Sequence, residues 1–368
     1  MSSEIGIEEY RQDVLRVCSY HRTDFARAVV RTLPRKLQVI APLLQKHFTT
    51  PSPFKSGPPF KLGVLDLLTP ELLVYILLQL DIVSYLQFRR VNRHARVVAT
   101  LLHEYKLVSN HGLEGLVALL RTKLGEFFTI KDLYRTLVTY SCKLCGGFGC
   151  FLFLPDCTRC CLTCLTEAPE LRMTIVPSLF SQFLPVEGLT EYHQSQLVPV
   201  LHGVRGKYYL WHSRSVSLGE QLMPTRQVMA ILRSLDVPEK SIEKAVYRLR
   251  DWESNRLGSA TMYPWYNAQR GEAERGVNCK AIQLYLEENL PRHIPTSTRY
   301  RVHRDQIFSR ASFLQHFKTC SHAQDLWARR DDGTREKESW FINQGCYRRN
   351  EDEDVIVSAR SRKDHNWQ

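Results

Sequence analysis

From Leu65 to Leu102 the chain reads LDLLTPELLVYILLQLDIVSYLQFRRVNRHARVVATLL, and polar positions almost vanish over the first half of that stretch. Thr69 is a good N-cap, Pro70 suits the first helical position, and Glu71 complements the positive helix end, so a helix starts there. Between Leu72 and Leu80 only Gln79 is strongly polar, which makes this helix apolar around most of its circumference. A short motif offers one internal face at most, so the surplus needs a partner surface. Asp81 and Ser84 punctuate the chain before a second helix carrying Tyr85, Phe88 and Val91. Ala95, Val98, Ala99 and Leu102 then recur at i, i+3, i+4 and i+7 and mark a third.

The same periodicity places amphipathic helices at Leu113, Leu116, Val117 and Leu120, and at Ile130, Leu133, Tyr134 and Leu137. Two helices are expected before residue 47, the second carrying Leu37, Ile40, Leu43 and Leu44, followed by the turn-rich TTPSPFKSGPPF. FLFL at 151–154 reads as a strand and GVRGKYYLWHSR as a hairpin, whereas Val228 to Leu235 and Ile242 to Trp252 read as helices. FLQHFKTCSHAQDLW should form one further amphipathic helix. The fold class is therefore mainly α with small β elements. The divisions expected are N-terminal helices and linker at 1–60, the apolar helical motif at 61–105, a helical connector at 106–140, a Cys-rich unit at 141–170, a mixed α/β region at 171–346 and a disordered charged tail at 347–368.

The helical motif resembles the F-box, the three-helix module by which substrate receptors dock on the Skp-type adaptor of cullin-based ubiquitin ligases. The residues that carry the resemblance are the Leu68 to Leu73 start, the LL-x2-IL spacing through Ile76 and Leu77, the Leu80-Asp81 turn, and FRRVNRHAR at Phe88 to Arg96. Proline stands one position later than the family's usual Leu-Pro-x-Glu. The resemblance implies adaptor contacts by Leu68, Pro70, Glu71, Leu72, Leu73, Ile76, Leu77, Leu80, Phe88 and Val91. It also implies a cullin scaffold as a further partner and a target protein, of unknown identity, held by residues 171–346.

Seven of the eleven cysteines fall between Cys142 and Cys164, in CKLCGGFGCFLFLPDCTRCCLTC. The N-terminus is acidic and polar rather than signal-like, and no run approaches a membrane span, so an intracellular address is expected and metal explains the cysteines better than disulfides. Cys142, Cys145, Cys161 and Cys164 make C-x2-C-x15-C-x2-C, a spacing suited to one zinc ion held by four thiolates. Cys157 and Cys160 form a competing second knuckle. The order C-x2-C-G, FLFLP, RCC-x2-C-L resembles the cysteine motif that follows the F-box in many fungal F-box proteins. A weaker three-ligand group, Cys279, His316 and Cys320, has His-x3-Cys spacing that would put two ligands on one helix face but lacks a fourth.

The formal charge of +12 raises nucleic acid as an alternative partner, yet the basic residues are dispersed and the 146–155 loop has no Lys or Arg to reach phosphate. Phosphate-loop, nucleophile-elbow and zinc-protease motifs are absent, and the cluster has no histidine with which to build a RING. The expected function is thus a non-enzymatic substrate receptor of a ubiquitin ligase. The alternatives are a zinc-dependent nucleic-acid-binding protein and an F-box protein with a role outside degradation.

Overall fold

The computed structural model describes residues 2–31, 46–49, 61–176, 199–208, 214–216, 220–248, 253–289 and 303–330, together with Ser339 and Ile342. The second N-terminal helix, most of the proline-rich linker and the charged tail lie outside the described residues. Among the described residues the fold is mainly helical with small antiparallel sheets, and no helix is long and apolar enough to cross a membrane.

The chain opens with α1 (Ser2–Cys18) and strand β1 (Ser19–Tyr20). After 3₁₀ helix Gly63–Leu67 comes α2 (Pro70–Gln79), which begins as its capping residues dictate: the Thr69 side chain accepts from the Leu72 amide at 3.4 Å. Asp81 then caps α3 (Ile82–Val91) by accepting from the Ser84 amide at 2.9 Å, and Asn92 caps α4 (Arg93–Leu101) through the Ala95 amide at 2.8 Å. Each break in the apolar run is therefore a short polar side chain that satisfies an orphan N–H and restarts the helix.

Next follow α5 (His103–His111), which the periodicity did not announce, α6 (Leu113–Arg121) and α7 (Ile130–Val138). A reciprocal capping box between Thr129 and Asp132 fixes the start of α7. An isolated bridge, Asp81 to Thr129, and the Ile82 amide donating to the Phe128 carbonyl at 2.9 Å tie that start to the α2–α3 junction. Arg89, one of the basic residues of α3, is buried: it donates to Thr100 Oγ1 at 3.0 Å and to the carbonyls of His47 and Phe48 at 3.0 and 2.9 Å.

Beyond α7, β2 (Phe151–Phe153) is the middle of a three-stranded sheet between β3 (Thr158–Cys160) and a strand from much later in the chain, β9 (Ala260–Met262). Phe151 pairs with Cys160 on one side and Met262 on the other. Helix α8 (Leu162–Glu167) completes the Cys-rich unit. A second sheet sets β4 (Met173–Ile175) and β5 (Leu201–His202) on either side of β8 (Gln221–Pro224), and the expected hairpin pairs β6 (Gly206–Tyr208) with β7 (Arg214–Val216). Helices α9 (Thr225–Ser234) and α10 (Glu239–Arg248) follow. One contiguous apolar core runs from Phe25 through the helical motif and connector to Tyr263, crossing the divisions expected at 105, 140 and 170.

After a hairpin of β10 (Trp265–Asn267) and β11 (Glu272–Glu274), the C-terminal part closes on the N-terminus: β12 (Asn278–Cys279) pairs antiparallel with β1. Helices α11 (Lys280–Asn289), α12 (Arg310–Thr319) and α13 (Ser321–Ala328) pack with α1 around a separate core containing Val14, Cys18, Phe313 and Phe317. The helix expected across 313–327 is two helices, because Cys320 takes an extended conformation (φ −90°, ψ 102°) that ends one and starts the next. Buried Arg22 anchors this end through Asp24 (2.8 Å) and Asp305, so each of these three buried charges meets an opposite one.

Helix α2 divides its leucines sharply. Leu77 is 1% exposed and Leu73 is buried, whereas Leu72, Tyr75 and Ile76 point outward at 52%, 64% and 41% exposure. Leu77→Ala should therefore cost about 2–5 kcal/mol in urea unfolding of the full chain, and Leu72→Ala should stay within about 0.5 kcal/mol of wild type. Equal losses at both positions would show that α2 is rotated relative to this packing.

Candidate metal centre

Two tight backbone turns build the centre. In the first, Cys142 lies beside a bridge between Ser141 and Phe148, and its amide donates to the Gly147 carbonyl at 2.6 Å while the Gly146 amide donates back to the Cys142 carbonyl at 3.0 Å. Gly146 takes φ +73°, the left-handed conformation that closes the turn without a Cβ penalty. In the second, Cys161 is the N-cap of α8 and its sulfur accepts from the Cys164 amide at 3.4 Å. The Lys143 amide donates to the Arg159 carbonyl at 2.9 Å, which lays the first turn against the strand that feeds the second.

The result is that the sulfurs of Cys142, Cys145, Cys161 and Cys164 all lie within 4.8 Å of one another. Cys145 and Cys161 are 3.7 Å apart. This is the set that the C-x2-C-x15-C-x2-C spacing predicts. The Cys161 thiol donates to the Cys142 sulfur, which holds Cys142 down to about 4 and pushes Cys161 up, with the amides of Cys145 and Leu144 also favouring the Cys142 thiolate. Burial is the main cause that raises Cys164 to about 12. A cation among these sulfurs would reverse that trend, since a coordinated thiol is deprotonated outright.

The competing knuckle is not assembled. Cys157 sits in a left-handed conformation (φ 49°) before β3, and Cys160 is on that strand, buried and outside the ligand group. Burial pushes Cys157 up to about 12 and Cys160 well above its ordinary value, and it raises Cys150 to about 12 as well. These three behave as small apolar side chains. Cys18, with no motif beside it in the sequence, is also core: it is fully buried and donates to the Ala323 carbonyl at 3.4 Å. Cys346 lies outside the described residues.

Sequence reasoning missed the group that holds the centre in place. Arg159, 2% exposed, donates to the carbonyls of Thr136 (3.0 and 2.8 Å), Leu137 (3.4 Å), Gly149 (2.6 Å), Tyr263 (3.1 Å) and Pro264 (2.7 Å). Gly149 must lack a side chain, because a Cβ there would collide with the Arg159 methylenes. The only signal is that it opens the RCC-x2-C-L stretch, a place that gives it no role of its own.

The residues implied as adaptor contacts divide into three groups. Pro70, Glu71, Leu72, Ile76 and Val91 are exposed, Leu68, Leu80 and Phe88 are half-buried, and Leu73 and Leu77 are turned into the core. The expectation that Leu73 and Leu77 face a partner is thus corrected, since α2 must bury one stripe against the chain's own helices. Val64, Leu65, Leu67, Val74 and Tyr75, which the motif did not single out, are exposed in their place. The Cys279, His316 and Cys320 group is also brought together, within 4.8 Å, although Cys320 lies just past the end of α12 rather than on it. Compared with known protein families, with curated proteins and with solved structures, the chain matches none.

Proposed function

We propose that the chain is a non-enzymatic substrate receptor of a Skp–cullin–F-box type ubiquitin ligase, working in a reducing intracellular compartment. One observation carries the reading. Of the fourteen large hydrophobics exposed among the described residues, seven lie between Val64 and Ile76, on a 3₁₀ turn and the outer face of α2. Scattered exposed apolar residues need no explanation, but half of them on one thirteen-residue segment mark a surface made to be covered. Its occupant is the Skp-type adaptor that the motif's resemblance implies. The action is proximity: α2 and its flanks dock on the adaptor, a target binds elsewhere on the chain, and the ligase meets a target lysine at raised effective concentration.

The nucleic-acid alternative loses ground because Arg22, Arg89, Arg159 and Arg256 are buried and offer no charge to phosphate. In a pull-down with a Skp-type adaptor the wild-type chain should be retained. A Leu72→Asp/Ile76→Asp variant, altered only on the outer face, should keep its melting temperature and lose adaptor binding by several kcal/mol, at least roughly a hundredfold. Wild-type protein that ignores the adaptor would overturn the reading.

The four-thiolate centre is assigned to zinc. A Zn–S bond of about 2.3 Å sets tetrahedral sulfurs about 3.8 Å apart, close to the 3.7 Å between Cys145 and Cys161. Four sulfur donors leave no open position, so the ion is structural: it joins two turns that the unfolded chain holds apart. Strong chelators should lower the melting temperature, as should Cys142→Ser and Cys164→Ser, whereas Cys150→Ser should leave the metal content unchanged. Metal-free protein that melts with the purified form would exclude a structural ion.

A further inference from the structure

The C-terminal core holds a second group of soft donors that the docking reading does not use. Cys279 ends β12 and immediately precedes α11; Cys320 separates α12 from α13 and immediately precedes the latter; His316 lies in the last turn of α12. The two sulfurs and one ring nitrogen of His316 fall within 4.8 Å of one another, with Cys320 in side-chain contact with both Cys279 and His316. The β12–α11 junction and the α12–α13 junction, distant in sequence, therefore converge on one point. Both sulfurs stand at helix N-termini, where the amide ends favour a thiolate.

The imidazole supplies an independent sign. Its Nε2 is buried and has no hydrogen-bond partner. The ring of this half-buried residue is stacked on Phe308 at 4.5 Å and tilted against Phe313 at 5.8 Å. Phe308 is itself locked by a two-way backbone bridge to Val277 at 2.8 Å. A buried polar atom left unpaired is destabilising, and an imidazole nitrogen beside two thiols is the arrangement a cation would satisfy.

We propose that Cys279, Cys320 and His316 form a second metal site, taking a borderline-soft divalent ion, zinc first, through two thiolates and one imidazole. No fourth His, Cys, Asp or Glu donor joins the group among the described residues. The fourth position is therefore taken by water or by a donor from another molecule, as in three-ligand zinc sites that keep an open position. The reason is visible by comparison with the first centre. There Cys161 precedes a helix and Cys164 is its third residue; here Cys279 precedes α11 and the corresponding third residue is Ile282, which supplies no donor. The ion would clasp α11, α12 and α13 directly. It would also steady α1, because Ser19 pairs with Cys279 and Cys18 bonds to Ala323.

The proposal is independent of adaptor docking and is tested on the full chain purified under reducing conditions, with zinc counted by elemental analysis and cobalt(II) titrated while thiolate-to-cobalt charge-transfer absorption is followed. About two zinc ions per chain are expected. Cys320→Ser and His316→Ala should each remove one, and Cys164→Ser the other. Ile282→Cys, by completing the donor set, should raise the resistance of the second ion to chelator by at least roughly tenfold. The unaltered chain should bind two equivalents of cobalt with thiolate character, a readout that no misfolded variant can confuse. One zinc per chain in wild type, Cys320→Ser and His316→Ala alike, with a single thiolate-bound cobalt equivalent, would overturn the site. A Cys279–Cys320 disulfide persisting in the reduced protein would do the same.

Discussion

The Arg159 guanidinium is the constraint on which the arrangement depends. It is buried with no carboxylate partner among the described residues, and burial lowers its affinity for the proton, to a pKa of about 10. Removing an ion from water costs several kcal/mol, and here backbone carbonyls, with the Tyr263 ring 5.5 Å from the guanidinium, offset it. Each carbonyl bond to a charged donor contributes roughly 1.5–3 kcal/mol, so the five carbonyls together are enough to hold the charge. Those of Thr136 and Leu137 belong to the last turn of α7 and would otherwise be orphaned, while those of Tyr263 and Pro264 follow β9. One side chain thereby fixes the helical connector, the first cysteine turn and the C-terminal strand against one another.

The outer face of α2 and the metal centre are linked through that point. Helix α7 is joined at its start to the α2–α3 junction by the Asp81–Thr129 bridge, and at its end to the cysteine turns by Arg159. Arg256 repeats the device on α8, donating to the Ala168 carbonyl at 2.6 Å just past the helix end. On the function proposed above, rigidity between α2 and the rest of the chain would matter, because a loose joint would dilute the effective concentration that a positioning receptor raises.

Some of this was legible in the sequence for local reasons. Thr69 and Asp81 announce helix starts, and C-x2-C spacing announces a pair of turns, since both depend on residues a few positions apart. The non-local facts were not legible. That β9 completes the sheet of β2 and β3 depends on a pairing across more than a hundred residues. The burial of Arg89 and Arg159 depends on carbonyls contributed by distant elements, and the division of the α2 leucines depends on which face the rest of the chain covers. A nearly all-apolar helix carries little periodicity from which to read its inward side.

The central proposal is that the outer face of α2 and the 3₁₀ turn before it are covered by a Skp-type adaptor while the Cys-rich unit stays free of it. Hydrogen–deuterium exchange on the full chain, alone and with adaptor, tests this most directly. Slowed exchange confined to residues 63–80 and the adjoining end of α3, with the cysteine turns at 142–164 unchanged, is the expected result. Unchanged exchange at 63–80 on adding adaptor, or protection centred on the cysteine turns instead, would contradict it.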